Sequence, residues 1–237
     1  MSSVFSDYRG GKFKKLSAPA MLFFLLSLSI FSVNQAIAEQ AEWKSSKEKD
    51  GIKTFSRKIA GSKYKAIRGE TTLAIPVAKL VAVINDAKAC VEWADLCKKS
   101  VVKKQVSNTE AYVYTLNDMP WPVKDREVTA HLNWSKNEQG SVTMISQAVI
   151  EIPSEDSNKN VEKTKGVVRI ETANARWDFT PLGDNKTLTQ FEIHMDPNGK
   201  IPGWLLNRLV LDSPFTTFKS LATQASKEKY NNATLPF

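Results

Sequence analysis

His131 and His194 are the two imidazoles in a chain of 237 residues, so acid–base chemistry near neutral pH would fall to them first. Strand alternation turns both away from the apolar rows. His131 shares a face with Thr129 and Asn133, opposite Val128, Ala130, Leu132 and Trp134. His194 shares one with Gln190 and Glu192, opposite Phe191, Ile193 and Met195. Both read as surface or sheet-face residues. No Ser-His-Asp order, H-E-x-x-H or glycine-rich phosphate loop is present, so no catalytic set is expected. Cys90 and Cys97 are too few to hold a metal without further ligands, and neither metal nor cofactor is expected. In an oxidising compartment a pair this close is expected to close one disulfide, with two partly buried thiols as the alternative. The remaining charged candidates read as structural. Arg126 and Asp125 suit a loop fixed to a sheet by a guanidinium fork, and Arg169 with Glu171 suits a pair across the sheet. Lys98, Lys99, Lys103 and Lys104 read as a solvated edge, with membrane docking as the alternative.

Strands must position these residues. Asp50-Gly51 is a hairpin dipeptide between Trp43–Lys47 and Ile52–Lys58, and a long strand follows over 64–75. Pro76 opens a helix carrying Val77, Leu80, Val81 and Ile84, and a short helical segment lies around Cys90–Leu96. Strands are then expected over 100–106, 111–116, 127–134, 142–150, 166–172, 176–181 and 187–195, with a polar loop over 154–165. Val142, Met144, Ala148 and Ile150 share a face, as do Ala175, Trp177 and Phe179. One sheet face is therefore apolar and aromatic. The last apolar stretch, from Ile201 to Ala225, reads as two helices or one kinked at Pro214; unbroken from Pro202, it would run about 36 Å. Leu211, Phe215, Phe218, Ala222 and Ala225 form its apolar stripe, and Lys219, Ser220 and Thr223 its wet side. The fold class is α+β: a curved antiparallel sheet gripping a C-terminal helix. Alternation alone leaves open whether the concave face is filled core or a ligand cavity.

The first 38 residues read as a secretory signal peptide. Lys12, Lys14 and Lys15 form a basic start, Met21–Val33 an apolar run, and Ala36-Ile37-Ala38 a cleavage pattern; the run is short for a membrane span. Cleavage after about Ala38 leaves 39–237 as a single exported domain, most simply in a bacterial periplasm. It removes four of the 33 basic residues and one of the 25 acidic ones, so the excess falls from +8 to +5. That excess fits weak attraction to anionic head groups, and no arginine-rich run suggests nucleic acid.

Three stretches resemble the START family, the steroidogenic-acute-regulatory-related lipid-transfer domains. Met119-Pro120-Trp121-Pro122-Val123-Lys124-Asp125-Arg126-Glu127-Val128 resembles its P-aromatic-P-x-x-x-R-D-apolar-V segment, with Glu127 in place of the motif aspartate. Gly166-Val167-Val168-Arg169 is similar to its G-V-apolar-R strand. Asp196-Pro197-Asn198-Gly199-Lys200-Ile201-Pro202 is similar to the D-x-x-G-x-apolar-P lead-in to its final helix. The resemblance implies a helix-grip fold around a hydrophobic tunnel holding one lipid, sterol or similar molecule. It makes Val128, Leu132, Trp134, Met144, Trp177, Phe179, Phe191, Ile193, Met195, Leu206 and Val210 tunnel-lining candidates. It makes Met119, Trp121 and Pro122 a gate loop at the mouth, with the Trp121 indole closing the tunnel, and it gives Arg126, Asp125, Arg169 and Asp196 structural roles. Leu132 stands where some family members carry a buried arginine, which implies a less charged pocket. The expected partners are an apolar ligand and, transiently, a membrane surface, with the chain acting as a monomer and without nucleic acid. A non-enzymatic carrier is the first reading, a cyclase- or hydrolase-like enzyme on the same fold the second, and a ligand-free interaction module the third.

Overall fold

Asp50 and Gly51 both take left-handed backbone angles (φ 54° and 72°), the geometry of a two-residue hairpin loop, and so join β1 (Lys44–Lys49) to β2 (Ile52–Lys58). In this computed structural model of the chain the described residues are 41–153, 159–160, 163–183 and 185–237, with the side chains of 159, 160, 207 and 210 outside the description. The expected signal peptide, much of the 154–165 loop and the Val210 side chain therefore lie outside the described residues. Residues 39–237 form one compact unit.

β3 (Lys65–Leu73) is followed by α1 (Val77–Asn85), a 3-10 turn at Ala87–Ala89 and α2 (Cys90–Trp93). Then come β4 (Cys97–Gln105), β5 (Glu110–Asn117), β6 (Arg126–Lys136) and β7 (Val142–Ala148). Two short pieces, β8 (Glu151–Ile152) and β9 (Lys159–Asn160), pair with each other, and β10 is Val168–Arg169. β11 (Thr172–Pro181) and β12 (Thr187–Asp196) complete the strands. The main sheet runs β1-β2-β3-β12-β11-β7-β6-β5-β4, antiparallel throughout that path; β10 adds a short parallel pairing to the start of β6. The expected strand over 166–172 is thus cut to two residues, because Val168 and Ile170 donate to the carbonyls of Asp125 and Glu127. The next strand begins at Thr172 rather than Arg176, where Asp196 becomes available as its partner. β7 stops at Ala148, so Ile150, expected on its apolar face, is 52% exposed.

The C-terminal stretch is two helices, α3 (Gly203–Leu211) and α4 (Ser213–Ala225), meeting at Asp212 with Pro214 in the first turn of α4. The Asp212 side chain does not cap α4; it accepts from Lys47 Nζ at 2.9 Å instead. Phe215, Phe218, Leu221 and Ala225 bury the inner face of α4. The helix sits close because β3 offers Gly69 beneath it: a Cβ there would stand 2.6 Å from the Phe218 ring and 3.3 Å from Pro214. Trp177 on β11 is the centre of this core. The Trp93, Phe179, Phe191 and Phe218 rings lie around it at centroid distances of 6.2, 5.9, 4.5 and 5.9 Å.

Candidate functional site

Between the sheet and the α1–α2 segment lies a cavity of about 780 Å³. Its floor comes largely from one parity of six strands, with Ser100 and Val102 of β4 at the edge. Val113 and Thr115 of β5, Val128, Ala130 and Leu132 of β6, Ser146 and Ala148 of β7, Ala173 and Ala175 of β11, and Ile193 and Met195 of β12 all border it. Alternation sends these side chains to the concave face and their neighbours outward. Trp134, Met144 and Trp177 join the wall where it meets the core. Ile84, Ala87, Cys90, Trp93 and Ala94 cover it from above, together with Leu235 and Phe237 of the tail that follows α4. The tail is held in place upstream. Tyr230 is buried, its hydroxyl donates to Asp86 Oδ2 at 3.0 Å, and Lys79 Nζ donates to Asn231 Oδ1 at 2.8 Å. The Cys90–Cys97 disulfide, with Cα atoms 5.9 Å apart, ties α2 to the first residue of β4.

Of the eleven expected lining residues, Val128, Leu132, Trp134, Met144, Trp177, Ile193 and Met195 are on this wall. Phe179 and Phe191 are not among the wall residues: Phe179 is fully buried and stacked against Trp177 and Trp134, and the Phe191 ring packs tilted against Trp177. Leu206 is partly buried in α3 away from the described wall. Among the described residues the helical cover is thus α1 and α2 rather than α3 and α4. Ser146 was missed: it has the parity of Met144 and Ala148, between which it falls, but its polarity left it out of the apolar row. Nothing in the sequence pattern marked the tail or the α2 cover.

The wall is almost uncharged. Among the described residues its one ionisable side chain is Glu110, at the end of the β4–β5 hairpin, and His131 Nε2 holds that carboxylate at 2.7 Å. His131 also stacks on Tyr112, and His194 Nε2 bonds Ser62 Oγ at 2.9 Å; neither histidine borders the cavity. The Ser100 and Thr115 hydroxyls bond each other at 3.2 Å. The Ser146 hydroxyl has no hydrogen-bond partner among the described residues.

The expected gate loop sits elsewhere. Pro122 borders a second, more open groove with Tyr64, Lys124, Lys200, Ile201 and Pro202. Trp121 projects from this region 90% exposed, and Trp204, in the first turn of α3, is 53% exposed. In this conformation the Trp121 indole does not close the cavity. Met119 fixes the base of the loop by donating its N–H to Asp125 Oδ1 at 3.1 Å. Lys98, expected on a solvated edge, bridges Asp125 and Asp118 at 3.0 and 3.1 Å. Burial pushes the Asp125 carboxyl up, but the bonds from Met119 and Lys98 prevail and hold it below the ordinary carboxylate range. Arg126 donates to the carbonyls of Lys124, Pro197 and Asn198, tying this loop to the lead-in of α3. Asp196 closes that lead-in as a turn, accepting from the Asn198 N–H at 2.9 Å.

Arg169 does not pair with Glu171, which bonds Lys163 instead. Its guanidinium donates twice to Glu127 Oε1, at 2.7 and 3.0 Å, in a fully buried pair on the convex side of the sheet. Tyr114 Oη and the Thr164 N–H also donate to Glu127. Burial raises the Glu127 carboxyl, and the bonds from Thr164, Arg169 and Tyr114 outweigh it, leaving the group below its ordinary value.

The START domain family model matches residues 30–228. A protein of Pseudomonas aeruginosa described as uncharacterized is 34% identical over 204 residues, covering 86% of this chain and 96% of its own length. The crystal structure of a STAR-related lipid transfer protein fragment from Xanthomonas axonopodis superposes with a TM-score of 0.69 at 32% identity, covering 78% of this chain and 99% of that one. Human StAR-related lipid transfer protein 5 has the same fold, with a TM-score of 0.66 at 16% identity over 77% of this chain and 86% of that one. A curved antiparallel sheet, a C-terminal helix and a largely apolar cavity on the concave face define a helix-grip domain. This chain belongs to the START domain family.

Proposed function

We propose that the protein is a non-enzymatic carrier, which holds a lipid or similar hydrophobic small molecule in the cavity and transfers it between membrane surfaces. The observation that carries this reading is the cavity itself. A space of about 780 Å³ walled mainly by aliphatic and aromatic side chains falls in the size range of small-molecule sites and would leave apolar surface idle if unused. Family membership and the similarity to a Xanthomonas protein described as a lipid transfer protein support it. Neither histidine borders the cavity, and the wall's one ionisable side chain among the described residues, Glu110, is engaged by His131; the remaining polar groups on the wall are neutral, which favours binding over catalysis.

The exposed Trp121 and Trp204, with Lys124 and Lys200 nearby on the groove, supply aromatic and cationic groups suited to a membrane interface. The signal-peptide reading places the carrier in the periplasm, and the disulfide is in keeping with such a compartment. The test is transfer of a fluorescent lipid between vesicles, measured beside thermal stability. Trp121→Ala is expected to change the transfer rate at unchanged stability and unchanged ligand capacity. Unchanged transfer in Trp121→Ala and in the Trp121→Ala/Trp204→Ala double variant would remove this face from the membrane contact.

A further inference from the structure

The protein is basic overall, yet among the described residues its cavity wall has no cationic side chain. A carboxylate or phosphate drawn inside would lose its hydration and meet neither lysine nor arginine; such unpaired burial is strongly unfavourable. At the mouth it would meet Glu110, an acid already committed to His131. The inner wall does have hydrogen-bonding capacity, but all of it is neutral. Ser146 stands mid-floor, directly opposite Leu132 on one neighbouring strand and Ala175 on the other, both of them wall residues. Its hydroxyl is partly accessible and no described residue bonds it; across the cavity the Trp93 Nε1–H of the cover is likewise without a partner among the described residues. The Ser100–Thr115 pair is satisfied internally and lies on β4 and β5, toward the edge of the sheet.

Resting on the reading of the cavity as a ligand site, we infer that its ligand is an electrically neutral lipid carrying one hydrogen-bonding function, a hydroxyl or carbonyl, which engages Ser146. The hydroxyl can donate to a carbonyl or accept from an alcohol, and the surrounding Leu132, Ala175 and Trp177 enclose the chain beside it. Anionic lipids are confined to the outer surface, where the basic residues are.

The test uses the intact mature protein and three probes sharing one pyrene-labelled alkyl chain, ended as an alcohol, as a carboxylate or as plain hydrocarbon, at pH 8. The alcohol is expected to bind tightest and the carboxylate at least tenfold more weakly. Ser146→Ala is expected to weaken the alcohol by about threefold to tenfold, the worth of one net hydrogen bond, and to leave the hydrocarbon unchanged. Ser146→Lys, checked for retained thermal stability, is expected to shift preference toward the carboxylate. Equal or tighter binding of the carboxylate by the unmodified protein would overturn the neutral-ligand assignment while leaving the cavity reading intact. An unchanged alcohol affinity in Ser146→Ala would overturn the role of Ser146. Failure of all three probes to bind would count against the cavity as a ligand site altogether.

Discussion

Glu127 keeps its charge where water does not reach, 0% exposed, because four groups converge on its two oxygens. Its partner Arg169 is also buried, and the carboxylate accepts two of its guanidinium bonds; breaking such a pair costs about 3–5 kcal/mol. Glu127→Gln is therefore expected to lose about that much stability at pH 7. The carboxyl is held below its unfolded value, near 4.3 for a free glutamate. Its contribution is thus present above that pH and is lost as the pH falls through the lower, folded value. Urea midpoints from pH 7 down to 3 should fall less steeply for Glu127→Gln than for the unmodified protein. Parallel profiles would mean that the pair adds no pH-dependent stability. The sequence placed Glu127 on the correct side of its strand but could not show this burial. What covers it is Thr164 and the start of β10, more than thirty residues downstream and outside any local pattern.

At the scale of elements, α4 and the α2 cover obey different constraints. The apolar stripe of α4 was legible from its spacing, because a helix docked on a sheet must bury one face. The partner of that stripe was not: Gly69 reads as an ordinary strand residue until Phe218 is seen 2.6 Å from where its Cβ would be. Phe218 is 1% exposed and its ring cannot swing aside. Gly69→Ala is expected to cost about 1–3 kcal/mol by overpacking, and a denaturation midpoint equal to that of the unmodified protein would contradict the close approach. The α2 cover is a single turn anchored by Trp93 against Trp177, and the disulfide adds a covalent tie to β4. The disulfide closes a short loop and is expected to contribute about 2–3 kcal/mol through the unfolded chain. Since Cys90 borders the cavity, a Cys90→Ser/Cys97→Ser variant should also release bound probe faster. Stability lost with an unchanged release rate would make the tie purely structural.

For the whole molecule, the strand alternation that defined the concave face also defined most of the cavity floor, because a period of two is set by the backbone alone. It could not say where filled core ends and cavity begins. Phe179 and Phe191 have the same parity as Trp177 yet lie behind it, since α4 descends on that part of the sheet and leaves the β5–β6–β7 part uncovered. Nor could it reveal that the chain beyond α4 returns, through Leu235 and Phe237, to the cavity wall. A carrier needs that space as its binding site, and filling it tests this most directly. Ala130 faces the cavity from the middle of β6, so Ala130→Trp would occupy it with little disturbance outside. Native mass spectrometry of gently purified protein, with and without added pyrene-labelled alcohol, should show a one-to-one complex for the unmodified chain and the bare mass for a stably folded Ala130→Trp. A bare mass for both, or an equal complex with both, would contradict it.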